Sequence, residues 1–248
     1  MKLNALVAAL ALVAAGSANA AILPDGANGT SLIFEAWDST TNMGMVQSLG
    51  TTMNGFLTGA NSINMNLDAA SFATLLGTDT AGTNLQWHIY SAMATPTTAS
   101  GDGILTTIAP GGLPSAALDV FSLPTLELAL GAHIGQDVLA VTGTANFGTM
   151  PSTNAAYGGL IGTDYLGNMP AGKSVKTGFG AIDFYSIASD TATNSVRVDT
   201  KLPGQFTLSA AGNVTNVAAS AVPLPAAAWL FGSGLLGLVG IGRRRNAA

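Results

Sequence analysis

The sequence predicts a mainly β protein: a β-sandwich-like domain with one or two short helices, followed by a C-terminal transmembrane helix. Three observations predict it. Short segments alternate apolar and polar residues, as in Leu85, Trp87 and Ile89 against Gln86, His88 and Tyr90, the period of a sheet with one buried face. Gly/Thr/Ser/Pro-rich breaks at residues 95–103, 109–115 and 149–159 separate these segments, as surface loops of a compact β-rich domain do. Near the C-terminus, Val222 to Gly242 carries no charge.

Residues 1–20 come first. Lys2 precedes an almost uninterrupted apolar run from Leu3 to Ala15, and Ala18-Asn19-Ala20 presents small side chains before Ala21. This is the pattern of a cleaved signal peptide, with signal peptidase cutting between Ala20 and Ala21. The apolar run is shorter than the roughly 20 residues a spanning helix needs.

Residues 21–221 form the expected extracytoplasmic domain. Ser31 to Trp37 reads as a strand ended by Asp38-Ser39-Thr40, and Gly178 to Ile187 as another. Ser195–Val198 and Gln205–Ser209 add two more, with Ala210-Ala211-Gly212-Asn213 turning the last into Val214–Val217. Leu67 to Leu76 groups Leu67, Phe72, Leu75 and Leu76 on one helical face, with Asp68 placed in the first turn. Pro124 to Ile134 suits a helix with proline at its start, although Leu126, Leu128 and Leu130 also alternate like a strand.

This region carries thirteen acidic residues and only four basic ones, Lys173, Lys176, Arg197 and Lys201, a net charge of −9. Such a balance disfavours nucleic acid, and none is expected as a partner, since almost nothing neutralises a phosphate backbone. Cysteine is absent, which removes disulfides, thiol nucleophiles and cysteine-ligated metals. Charged residues make up 8% of the chain, against roughly 25% in an average domain.

Chemistry-bearing motifs are sparse. His88 and His133 are the only histidines and stand 45 residues apart. Asp137 follows His133 by four, a spacing too common to indicate a ligand pair, so both histidines are assigned structural or surface roles. Glu35 and Glu127 are the sole glutamates, and neither context resembles an acid/base pair for glycoside hydrolysis. Asp25-Gly26-Ala27-Asn28-Gly29 has oxygen donors but not the spacing of a calcium loop, and it reads as an exposed turn, as does Gly101-Asp102-Gly103. No Gly-x-Ser-x-Gly elbow, phosphate loop or dinucleotide fingerprint occurs. Trp37, Trp87 and Tyr90 would stack on sugars if exposed together, but their strand positions assign them to core packing. The expectation is a nonenzymatic protein with no catalytic residue, cofactor or metal.

The tail, 222–248, is the most informative segment. In the motif Val222-Pro223-Leu224-Pro225-Ala226, Pro223 and Pro225 favour an extended Val222–Pro225 segment. Ala226 to Gly242, if helical, spans about 25 Å, a little less than the roughly 30 Å hydrocarbon core. Arg243, Arg244 and Arg245 follow at once, and the positive-inside bias keeps them cytoplasmic with the bulk of the chain outside. Glycines 232, 234, 237, 240 and 242 give the helix a small-residue surface suited to a partner helix.

The motif, the helix and the arginine cluster together resemble the PEP-CTERM family of sorting signals, in its VPLPA variant. Leu224 occupies the position where the family's namesake motif has glutamate. The resemblance implies processing near Val222–Ala226 by an exosortase-like membrane enzyme of a Gram-negative bacterium. Arg243–Arg245 would act as the cytoplasmic stop, and the catalytic residues would belong to the partner. It further implies export through the inner membrane, a transient anchor there, and a final place at the cell surface or in the extracellular, exopolysaccharide-rich matrix of a biofilm. The functional expectation is a noncatalytic surface or matrix protein, with signal peptidase, the sorting enzyme and matrix components as partners. The alternative is a secreted carbohydrate-binding module or glycan hydrolase.

Overall fold

The computed structural model describes residues 22, 29–59, 62–92, 103–109, 123–141, 146–160, 175–189 and 197–217. These all fall in the first of two units into which the chain divides, 1–218 and 219–248. The signal peptide with Ala18, Ala20 and Ala21, the sorting motif Val222–Ala226, the helical segment 226–242 and Arg243–Arg245 lie outside the described residues. Among the described residues no helix is long and apolar enough to cross a membrane.

The strand expected from Ser31 forms, as β1 (Ser31–Asp38), and continues into the hairpin partner β2 (Met43–Thr52). Asp38 makes the turn between them, its carboxylate accepting from the backbone N–H of Thr40 at 2.7 Å and of Thr41 at 3.1 Å. The six-residue α1 (Met53–Thr58) follows, capped by the Thr52 hydroxyl. Then come β3 (Ile63–Asn66) and α2 (Ala69–Leu76). Asp68 stands at the N-cap of α2 rather than in its first turn, accepting from Ser71 N–H at 2.8 Å. Next are β4 (Leu85–Ala92), β5 (Gly103–Ile108), α3 (Leu123–Ala140), β6 (Phe147–Pro151) and a 3₁₀ turn, Gly158–Leu160. The chain ends its described part with β7 (Lys176–Thr177), β8 (Gly180–Ser189), β9 (Arg197–Leu208) and β10 (Asn213–Val217).

The protein is mainly β, as expected, but among the described residues its strands do not divide into two sheets. All ten join one antiparallel sheet in the order β3-β10-β9-β8-β5-β4-β1-β2-β6, with β7 added beside β4. The sheet curls until Gln47 of β2 reaches β3. Its amide donates to Asn66 O at 3.4 Å, and its carbonyl accepts from Asp68 N–H at 2.9 Å. Alternation along a strand reports one buried face, and a curled sheet satisfies that as well as a sandwich does.

Two expected strands are one. The described residues 197–198 of the first segment and 205–208 of the second both belong to β9, whose register against β8 shifts between Asp183 and Tyr185. Pro203 and Gly204 occupy the irregularity, Gly204 at φ +84°, a backbone state glycine supplies without steric cost. The ambiguous Pro124 segment is helical.

Each face of the sheet carries its own core. One face gathers Leu32, Phe34, Ala36, Trp87, Ile89, Phe184, Phe206 and Leu208 under α1 and α2. Phe184 and Phe206 meet edge to face with ring centroids 4.8 Å apart, and Phe34 stacks on Trp87 at 5.9 Å. The opposite face carries Ile33, Trp37, Val46, Tyr90, Ile104, Ile108 and Ile187, with Leu130 and Ile134 of α3 laid across it.

Candidate functional site

The second face is not wholly apolar. In β1 the alternation that sends Phe34 to the first core sends Ile33, Glu35 and Trp37 to the second. Antiparallel register with β4 then sets Glu35 opposite His88 and Ile33 opposite Tyr90. From above, α3 presents Leu130, His133, Ile134 and Asp137 to the interior, the i, i+3, i+4, i+7 spacing of one helical face. Glu35, His88, Tyr90, His133 and Asp137 therefore converge, each no more than 1% exposed.

His88 Nε2 donates to Glu35 Oε2 at 2.8 Å. His133 Nε2 lies 3.4 Å from both oxygens of the same carboxylate and 3.5 Å from Asp137 Oδ1. The Tyr90 hydroxyl donates to Asp137 Oδ2. Asp137 Oδ1 and His88 Nδ1 are buried with no hydrogen-bond partner. The rings of His88 and Tyr90 are in contact, with centroids 4.8 Å apart, and Trp37 meets His88 edge-on at 5.5 Å. The turn at Gly158 closes the site on another side: a methyl group there would stand 2.4 Å from Trp37 Cε3 and 2.6 Å from Glu35 Oε1. Only glycine fits that approach.

Burial and charge act against each other here. Burial pushes the Glu35 carboxyl up, but His133 and His88 outweigh it and bring it down to about 2. Burial presses the His133 imidazolium down, but Glu35, helped by Asp137, lifts it to about 9. Asp137 goes the other way: burial and then the Glu35 charge raise it well above the usual carboxylate range, against His133 and the Tyr90 hydrogen bond. Burial, with Asp137 and Glu35 nearby, also raises Tyr90. The arrangement is an ionised Glu35–His133 pair beside a carboxyl that resists ionising.

Glu35, His133 and Asp137 offer one ligand atom each, all within 4.8 Å of one another. Their chemistry, one imidazole and two carboxylates, is that of a transition-metal ligand set.

The surface role offered for the histidines is thereby corrected: both are buried, and Glu35 joins them. The signal was present in the composition. In a chain with 8% charged residues, Glu35 sits inside the apolar run Ser31–Trp37, and His88 sits between Trp87 and Ile89. Trp37 and Trp87 are buried on opposite faces of the sheet, so they make no common platform for a sugar. Glu127 lies in α3 with its side chain outside those described, and residues 25–28, 101 and 102 are also outside. Compared with protein-family models, curated proteins and solved structures, the chain matches none.

Proposed function

We propose that this chain is a noncatalytic exported protein of the cell surface or extracellular matrix, delivered through its C-terminal tail by an exosortase-like membrane enzyme. The observation that carries the reading is the tail itself: Val222-Pro223-Leu224-Pro225-Ala226, an uncharged segment to Gly242, and Arg243-Arg244-Arg245. The signal-peptide pattern of residues 1–20 supports the same orientation, with the ectodomain outside. In this reading the domain of 21–221 is a β scaffold with a net charge of −9, repelled by anionic surfaces and free to lie in a hydrated matrix.

The geometry supports a noncatalytic role. The polar cluster between the sheet and α3 exposes at most 1% of any of its five residues. A general acid or base has to come within hydrogen-bond reach of its substrate. The aromatic rings that would bind a sugar are packed into the two cores.

The test is the intact mass and C-terminal peptide of the protein from its native host, beside a strain lacking the sorting enzyme. The expected outcome is loss of the residues beyond the Val222–Ala226 region only when that enzyme is present. A single species retaining Arg243–Arg245 in both strains would make the protein a plain membrane-anchored ectodomain.

A further inference from the structure

We propose that Glu35, His133 and Asp137 form a structural binding site for a divalent transition-metal ion of the zinc class, with His88 and Tyr90 as the outer partners that orient its carboxylates. Distances carry the argument. The His88–Glu35 contact, at 2.8 Å, has the length of a charge-assisted hydrogen bond. The contacts of His133 Nε2 with Glu35 and Asp137, at 3.4 and 3.5 Å, do not. Two donors bound tetrahedrally to one ion at about 2.1 Å stand about 3.4 Å apart. His133 already holds that separation from both carboxylates. Bringing the most distant donors from 4.8 Å to about 3.4 Å needs about 1.4 Å of travel at most.

The orientation of each carboxylate points the same way. Glu35 uses Oε2 for His88, and Asp137 uses Oδ2 for Tyr90. Each is left with an inward oxygen, and Asp137 Oδ1 is fully buried with no hydrogen-bond partner. A contact to His133 at 3.5 Å leaves that oxygen poorly satisfied, whereas a metal–oxygen bond would satisfy it. Pairing of each ligand with an outer donor is how proteins fix metal-binding side chains. Three protein donors leave the fourth position of a tetrahedral ion to a small further donor such as water.

The donor set selects the ion. Calcium takes six to eight oxygens, and magnesium keeps several waters; a dry site with an imidazole nitrogen suits zinc or its first-row neighbours. Burial of every ligand fits a structural ion acquired during folding, since metal binding and folding are then one process.

The experiment uses the full chain as exported, unfolded with a chelator and refolded with Zn²⁺ or Co²⁺ alone. One bound ion per chain is expected, and Co²⁺ should develop the visible absorption of a four-coordinate site. X-ray absorption of the zinc form should show one imidazole and otherwise oxygen ligands. The chain has two histidines and no cysteine, so one imidazole narrows the site to His133 or His88, and loss of uptake on changing Asp137, which faces His133, assigns it to His133. Asp137→Asn and Glu35→Gln should abolish uptake. Tyr90→Phe, which removes no ligand, should weaken it about 10- to 100-fold with the far-ultraviolet circular dichroism unchanged. Uptake far below one equivalent by the wild type overturns the proposal. So does a first shell with no imidazole or with two, or equal uptake by correctly folded Asp137→Asn.

Discussion

Phe34 and Glu35 are neighbours in β1, both fully buried, yet they belong to opposite kinds of interior. Phe34 joins a face made of aromatic and aliphatic groups, where Trp87, Phe184 and Phe206 stabilise the fold through area removed from water. Glu35 joins a face where two imidazoles, a second carboxyl and a phenol are packed among isoleucines. Apolar packing needs no partner of defined chemistry. A buried charge needs one, because desolvation costs several kcal/mol per ion. The second face is therefore held by pairing, and its composition makes sense as a site in a way the first does not.

Substitutions of these two neighbours should test the contrast with the largest effects. Phe34→Ala should cost about 3–5 kcal/mol through lost burial and the cavity left behind. Glu35→Ala should cost about 3–5 kcal/mol for another reason, since His88 and His133 lose their buried carboxylate. Repair separates the two causes. Replacing the whole set, as Glu35→Met with His88→Leu, Tyr90→Phe, His133→Leu and Asp137→Leu, should return stability in chelator to within about 1 kcal/mol of the parent or exceed it. Urea unfolding measures all three variants. A fully replaced variant as unstable as Glu35→Ala would mean that the polar groups themselves hold this face together, and the contrast between the faces would fail.

Two glycines on the polar side should respond with opposite signs. Gly158 is pressed against Trp37 and Glu35, so Gly158→Ala must displace one of them and should cost about 1–3 kcal/mol. Gly135, within α3, has open space where its Cβ would lie, and Gly135→Ala should stabilise by about 0.4–1 kcal/mol through helix propensity and a less flexible unfolded chain. Thermal unfolding of the two variants checks the signs. If Gly158→Ala were tolerated without loss, the site would be looser over its 3₁₀ turn than the contacts require.

How much of this was legible in the sequence depended on whether a signal was local. β1, β4 and β10 announced themselves by alternation and turn residues. β2 and β5 did not: Gly44 and Gly50 interrupt the first, and all six residues of Gly103–Ile108 are buried, so no polar face marks the second. α3 was ambiguous because Leu126, Leu128 and Leu130 alternate, and its register is evident only from the residues it buries, Leu130, His133, Ile134 and Asp137. The site was the least legible part. Glu35 lies 53 residues from His88 and 98 from His133, and only strand register and the crossing of α3 bring them together. Local reading ended the expected helix at Ile134, before Asp137, took the four-residue spacing of His133 and Asp137 as too common to mean anything, and contained nothing to say that Glu35 faced them.

The smallest expected effect comes from the same face of the sheet where it meets water. Asp183 sits opposite Ile108 in the β5–β8 register, and its carboxylate pairs with Lys201 at 2.7 Å and accepts from the Gln205 amide at 2.7 Å. Burial raises the Asp183 carboxyl, but Lys201 and Gln205 together outweigh it and lower its pKa below the usual value. A carboxyl held lower in the folded state than in the unfolded chain favours folding above the unfolded value of about 3.9, and that contribution disappears as pH falls through the folded value. Asp183→Asn should therefore be slightly less stable than the parent at pH 7, and the difference should vanish as the pH is lowered into the acid range. It should also shrink in about 0.5 M salt, because Lys201 is half exposed. Salt should leave the Glu35→Ala loss almost untouched, since that carboxylate is fully buried. Equal salt sensitivity of the two variants would mean that the cluster under α3 is open to solvent, and the buried site would have to be redrawn as a surface one.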